Sequence, residues 1–118
     1  TPEIRFLPKK GLLELKGVSI PEDAESIYLP IIKWVENYVK STNNKTTTFS
    51  FKLIYFNTTT SDYLVGILRK LKLLLQKKQQ VKIVWYYEEE DEDMRETGNH
   101  FQAIIGIPFD FVSVVEIV

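Results

Sequence analysis

Asn57-Thr58-Thr59-Thr60-Ser61-Asp62 places four hydroxyls in a row between an amide and a carboxylate. Two kinds of chemistry suit such a run at the start of a helix. The first is capping, in which a side-chain oxygen accepts one of the backbone N–H groups left without partners. One residue suffices for that, and five hydroxyl or amide residues in succession, Asn57 to Ser61, leave hydroxyls over. The second is phosphate chemistry. Ligands gather at the carboxyl ends of strands in open α/β sheets, and the positive end of a helix favours an anion. Both readings stand on these residues. Nucleophilic catalysis has less to work with. A hydroxyl nucleophile needs a base beside it, and the chain has one histidine, His100, and no cysteine. His100 reads as a surface residue. Gly-rich phosphate loops, a G-x-S-x-G elbow and H-E-x-x-H are all missing from the sequence.

Two charged stretches could also bind something. Glu88–Asp93 is an unbroken acidic run. It reads as a solvated entry to a helix, or as a surface for basic segments. A calcium loop would need alternating ligands and a glycine at the sharp turn, so no metal ion is expected there. Between Asp62 and Glu88 there is no acid, but Arg69, Lys70, Lys72, Lys77, Lys78 and Lys82 are present. That stretch reads as a wet helix face, as a dock for an acidic partner, or as the complement of Glu88–Asp93 in a weak homodimer.

These residues need elements to hold them. Ile4–Leu7 and Gly11–Lys16 read as a hairpin, the second strand alternating Leu13 and Leu15 with Glu14 and Lys16. Pro21-Glu22-Asp23-Ala24 opens a helix that carries Ile27, Ile31, Trp34, Val35 and Tyr38 to about Lys40. Pro30 should kink it or mark its true start, because proline cannot donate to the carbonyl of Ser26. Thr46–Phe56 is a strand with Phe49, Phe51, Leu53 and Tyr55 expected on one face. Tyr63 to about Lys78 is a leucine-rich helix, and Val81–Tyr87 a strand in which Tyr86 and Tyr87 must face opposite ways. A third helix through Met94, Phe101 and Ile104 leads to a last strand, Phe109–Val118. Trp34 and Trp85 read as core. Strands alternating with helices give an α/β fold: residues 1–118 as a single domain with a mixed, mostly parallel sheet, an antiparallel N-terminal hairpin and three helices.

Composition narrows the function. Apolar residues make up 44% of the chain, with seven Phe, six Tyr and two Trp, which is enough for one packed core. A net charge of −1 gives no global attraction to nucleic acid or an acidic membrane. No apolar run approaches the roughly 20 residues that cross a bilayer, and Thr1-Pro2-Glu3-Ile4-Arg5 does not resemble a signal peptide. The lack of cysteine fits a cytoplasmic location.

Motifs spread over most of the chain resemble the SiaC family of bacterial regulatory phosphoproteins. They are Gly17, Ser19 and Pro21-Glu22-Asp23-Ala24, then Pro30, Trp34 and Tyr38, then Tyr55-Phe56-Asn57-Thr58 with its leucine-rich helix. Val84-Trp85-Tyr86-Tyr87, Asp91-Glu92-Asp93-Met94, Gly98, Phe101 and Pro108-Phe109 complete the pattern. The resemblance implies a fold similar to the STAS domains of anti-sigma-factor antagonists. It implies a non-enzymatic partner switch without a cofactor: a Ser/Thr kinase adds a phosphate, a metal-dependent Ser/Thr phosphatase removes it, and the unmodified form binds and activates a diguanylate cyclase. The acceptor carried over is Thr58. This chain has Thr59 and Thr60 where the family pattern has serines, so Thr59, Thr60 and Ser61 are alternative acceptors. Asn57, Thr58, Thr59, Asp62, Arg69, Tyr87 and Glu88 are the expected partner contacts. The competing readings are a scaffold domain whose threonines only cap, and a small enzyme using the acids near Glu88–Asp93.

Overall fold

A computed structural model describes residues 2–118. The strands are β1 (Glu3–Leu7), β2 (Leu12–Ser19), β3 (Thr46–Phe56), β4 (Gln80–Glu88) and β5 (Phe109–Val114). The helices are α1 (Ala24–Ser41), α2 (Thr58–Lys72) and α3 (Glu92–Ile105), and short 3₁₀ turns cover Pro8–Lys10 and Leu73–Lys77. All five strands form one sheet in the order β1-β2-β3-β4-β5. β1 and β2 pair antiparallel as a hairpin, and every other pair is parallel. Each helix therefore links neighbouring strands, always in the same direction. Right-handed crossovers of that kind put all three helices on one face.

The core lies between that face and the helices. Leu13, Leu15, Phe49, Phe51, Leu53, Ile83 and Trp85 of the sheet meet Tyr28, Ile31 and Val35 of α1, Leu64, Ile67, Leu68 and Leu71 of α2, and Met94, Phe101 and Ile105 of α3. The other face of the sheet is mostly polar, with Leu12, Val84, Val112 and Val114 among its charged and hydroxyl residues, as a period of two allows for a sheet covered by helices on one side. There Lys52 Nζ sits 2.8 Å from Glu14 Oε1 and 4.8 Å from the centre of the Tyr86 ring. Trp85 faces the core and donates its Nε1–H to the Met94 carbonyl at 3.0 Å. Tyr86 faces out, and half-buried Tyr87 returns to the core side.

Several boundaries differ from the sequence expectation, each for a physical reason. β2 does not stop at Lys16 but runs to Ser19, because Gly17 adopts φ 105° and a bulge lets pairing continue. The bulge sets Gly17 opposite Leu53 and Val18 opposite Tyr55, leaving Ile54 as the extra residue on β3. Side-chain alternation flips there. Tyr55, expected inside, is 57% exposed, while Phe56 turns in against Trp85 and Phe101. α1 runs unbroken through Pro30; the bond proline cannot make would go to Ser26, whose exposure leaves its carbonyl to water. α2 starts at Thr58 rather than Tyr63, and its α-helical part ends at Lys72. β5 ends at Val114 rather than Val118, and beyond it the Ile117 N–H donates to Glu88 Oε2 at 2.9 Å. Trp34 is only half-buried, lying 4.5 Å from the Phe6 ring and stacked on Tyr38 at the hairpin end of the sheet.

The basic stretch is largely occupied within the chain. Lys72 Nζ donates to the Ile105 carbonyl at the end of α3, and Lys77 Nζ to the Val39 and Thr42 carbonyls at the end of α1. Both lysines meet orphan carbonyls at the negative end of a helix. Lys70 pairs with Glu36 at 3.0 Å and Lys82 with Asp110 at 3.7 Å.

Candidate functional site

The threonine run sits where the carboxyl end of β3 turns into α2, so its hydroxyls occupy the first helical turn itself. Asn57 is the cap, with extended backbone geometry and its Oδ1 accepting the Thr60 N–H at 3.0 Å. Its carbonyl accepts the Ser61 N–H, and its own N–H donates to the Ser19 carbonyl at 3.2 Å. Asn57→Ala should therefore lower stability by about 1 kcal/mol. A melting curve should register this as a fall of about 4 °C for a domain of this size.

The hydroxyls do not share one environment. Thr58 and Thr59 are exposed, Ser61 is half-buried, and Asp62 is exposed on the next step of the helix. Thr60 is fully buried. Its Oγ1 donates to the Ser19 carbonyl at 3.1 Å and lies 3.0 Å from Ser19 Oγ. Ser19 Oγ in turn lies 2.5 Å from the Tyr28 hydroxyl, and the Tyr28 ring stacks on Tyr63 of α2. Three hydroxyls from β2, α1 and α2 thus form a closed, buried chain beneath the exposed threonines.

Burial pushes the Tyr28 phenol above its ordinary 10.0, and the hydrogen bonds from Ser19 and Thr60 only partly offset this. The folded chain then holds the phenol proton more tightly than the unfolded chain. This contribution to stability is complete below about pH 10 and is lost as pH rises through the folded value. The stability of the native chain measured against that of Tyr28→Phe should be constant across neutral pH and decline above about pH 10. Denaturant titrations at several pH values check it.

The helix N-terminus is electrostatically open. α1 carries Glu25 in its first turn and α3 carries Glu92 and Asp93, whereas α2 has no acid there. The acidic run is used differently. Asp91 caps α3 by accepting the Met94 N–H at 3.0 Å, and Glu88 holds the C-terminal segment through Ile117. No three His, Asp or Glu side chains converge as metal ligands among the described residues.

β3 and β4 stop pairing at Phe51–Trp85, five residues before β3 ends. A depression of about 210 Å³ opens beyond that point, lined by Ile54, Tyr55, Phe56, Asp91, Asp93, Met94 and Thr97. The carboxyl ends of the strands thus gather Asn57, Thr58, Thr59 and Asp62 at one corner, and Tyr87 and Glu88 at the end of the neighbouring strand. Arg69 is exposed on α2. Eleven residues at 100° each bring it back to the side of Thr58, but about 16 Å along the axis, so it does not join the turn.

Four exposed apolar residues at the ends of β2 and β3 escaped the sequence reading: Val18 (38%), Ile20 (53%), Ile54 (41%) and Tyr55. A signal for them exists. Ile54-Tyr55-Phe56 cannot all point inward from a strand, so one or more must be exposed. Ser19 and Tyr28 were also missed as parts of the site, because nothing local marks the contact between Ser19 and Thr60, 41 residues apart, or the place of Tyr28 behind it.

Comparison with known proteins agrees with the fold. No curated protein matches the chain. Among solved structures, apo-SiaC from Pseudomonas aeruginosa superposes with a TM-score of 0.84 at 25% identity, over 95% of this chain and 90% of that one. A complex of the diguanylate cyclase SiaD with its activator SiaC, from the same organism, gives 0.89 at 25% identity over 97% and 93%. The family model described as SiaC family regulatory phosphoprotein matches residues 1–114. With that match over nearly its whole length, and a five-strand sheet and three helices like those of the SiaC structures, the chain belongs to the SiaC family of regulatory phosphoproteins.

Proposed function

We propose that the chain is a phosphorylation-controlled activator whose unmodified form binds a signalling enzyme of the diguanylate cyclase class. Thr58 is the switch. The observation that carries this reading is an exposed hydroxyl on the first residue of a helix, at the carboxyl end of the parallel strand β3, with no acid in that first turn. A Ser/Thr kinase writes the phosphate and a metal-dependent Ser/Thr phosphatase erases it. The kinase step consumes a nucleoside triphosphate, so the reading places the switch in the cytoplasm. The whole chain, residues 1–118, acts as one binding domain.

Partner contact on this reading centres on Asn57, Thr58, Thr59 and Asp62, with Tyr87 and Glu88 at the neighbouring strand end. Tyr55 and Ile54 supply the apolar area that a stable complex needs. Exposed tyrosines are frequent interface anchors, and truncating one costs about 2 kcal/mol, or roughly thirtyfold in affinity. Tyr55→Ala should weaken cyclase binding by that factor while its melting temperature stays within about 2 °C of the parent. Arg69, well away from the turn, should matter less. Pairing of two copies through the basic stretch and Glu88–Asp93 has weaker support, because Lys70, Lys72, Lys77 and Lys82 already have partners within the chain.

The test adds unmodified or phosphorylated chain to the purified cyclase of the same organism and measures cyclic di-GMP formation. The unmodified chain should raise turnover and the phosphorylated chain should not. Equal turnover with either form, or with neither present, contradicts the proposal.

A further inference from the structure

Thr60 is held inward by a hydroxyl network it cannot leave cheaply. Its Oγ1 has the Ser19 carbonyl at 3.1 Å and the Ser19 hydroxyl at 3.0 Å, and Tyr28 closes the chain behind Ser19. None of Ser19, Tyr28 and Thr60 has surface open to solvent. Capping alone does not require this. Asn57 already accepts the Thr60 N–H through its side chain, so the Thr60 hydroxyl is surplus to the cap.

The rotation of an α-helix gives that inward bond a consequence. Successive residues are about 100° apart around the axis. With Thr60 fixed toward the core, Thr59 stands about 100° to one side and Ser61 about 100° to the other. Thr58, two steps back, stands about 200° away, nearly opposite Thr60 and so aimed outward. Burial agrees at the two extremes, with Thr60 buried and Thr58 exposed; of the two flanking residues, Thr59 is also exposed and Ser61 is half-buried.

We infer that the Ser19–Tyr28–Thr60 network selects the phosphoacceptor: by locking Thr60 inward it sets the rotation of the first turn, so that Thr58 is the hydroxyl presented to a kinase. Ser19, Tyr28 and Thr60 are positioning residues in this account, since none of them touches the transferred phosphate. The transfer itself is ordinary: the Thr58 Oγ attacks the terminal phosphorus of a nucleoside triphosphate, the bond to the bridging oxygen breaks, the nucleoside diphosphate leaves, and the hydroxyl proton passes to a base of the kinase. Network loss leaves that chemistry intact and changes which oxygen performs it. The inference rests on the proposed switch and adds to it the determinant of acceptor choice.

The test expresses the full chain and its variants in the native host and maps phosphate by peptide mass spectrometry with site-resolving fragmentation. The native chain should carry phosphate mainly on Thr58. Thr60→Val keeps the shape but removes the hydroxyl, and should lower the ratio of phospho-Thr58 to phospho-Thr59 plus phospho-Ser61 by about fivefold, the factor of one net hydrogen bond. Thr60→Ser restores a hydroxyl and should restore the ratio, which a purely structural role of side-chain volume would not produce. Ser19→Ala, which leaves the Ser19 carbonyl in place, should give a smaller change in the same direction and serves if Thr60→Val fails to fold. Unchanged site preference in folded Thr60→Val or Ser19→Ala overturns the inference while leaving the switch standing. Native phosphate mainly on Thr60 overturns both the inference and the assignment of the switch to Thr58. Absence of phosphate from the whole native cluster overturns the switch as well.

Discussion

Phosphate on Thr58 should weaken binding of the cyclase partner by at least about a hundredfold, or about 2.7 kcal/mol, and leave the fold intact. The modification brings roughly −1.5 to −2 charges and three acceptor oxygens. At the first residue of α2 these face the positive end of a helix whose first turn contains no acid. The local effect is therefore favourable, by about 0.3–1 kcal/mol, and the melting temperature should rise by no more than about 4 °C. At a protein interface the sign reverses, because the charge must be stripped of water as the partner closes over it. Thr58→Ala should bind whether or not the kinase is present. Thr58→Glu should bind about tenfold more weakly than the unmodified chain, less than true phosphate because a carboxylate brings only one charge. Thr59→Ala should still switch. Calorimetric titration of each variant into the cyclase, beside its melting curve, checks the set.

The second large effect concerns stability. A Cβ on Gly98 would lie 2.6 Å from Trp85 Cδ1 and Nε1 and 2.7 Å from Phe111 Cε1. The indole cannot retreat freely, because it is buried and its N–H is bonded to the Met94 carbonyl. In an exposed helix interior, replacing glycine with alanine gains about 1 kcal/mol of propensity. Here overpacking should outweigh that gain, and Gly98→Ala should lose about 1–3 kcal/mol net. Gly66→Ala is the control. Its Cβ would meet only the flexible Cδ1 end of Ile32, at 3.3 Å. That variant should be neutral or more stable, so opposite signs at two helical glycines are the expected result of urea titration. A destabilised Gly66→Ala beside an unaffected Gly98→Ala would contradict the packing of α3 on Trp85.

Much of the fold was legible because its signals are local. β3 spans Thr46–Phe56 as its Thr, Phe, Ile and Tyr content indicates, and the leucine spacing of α2 identifies its buried face. The parallel order follows from strands alternating with helices. What could not be read depended on neighbours in space. The second strand of the hairpin was expected to stop at Lys16, yet pairing continues past Gly17, which adopts a positive φ beside the bulge at Leu53–Tyr55. That bulge sends Tyr55 outward, against a strict period of two. Pro30 looked like a kink or a helix start, but α1 continues through it, with both Pro30 and Ser26 on the exposed side of the helix.

The site divides in the same way. The Asn57 cap and the hydroxyl run are visible in six consecutive residues, whereas the difference between Thr58 and Thr60 is not. Thr60 meets Ser19 and, through it, Tyr28, brought there by the crossover from β2 through α1 to β3. The charged stretches divide too: Glu88–Asp93 enters α3 as read, whereas Lys72 and Lys77 are not on a simple wet helix face. Lys72 and Lys77 reach carbonyls of other helices, and Asp91 caps its own, so residues that resemble a docking surface in sequence partly serve the fold.

The central claim is that one hydroxyl controls partner binding, and the affinity of the purified cyclase for the chain before and after stoichiometric phosphorylation tests it most directly. The account predicts a saturable complex with the unmodified chain and an affinity at least about a hundredfold lower with phospho-Thr58. Equal affinity for the two forms, with phosphate confirmed on Thr58, would contradict it and leave the threonine run as a helix cap.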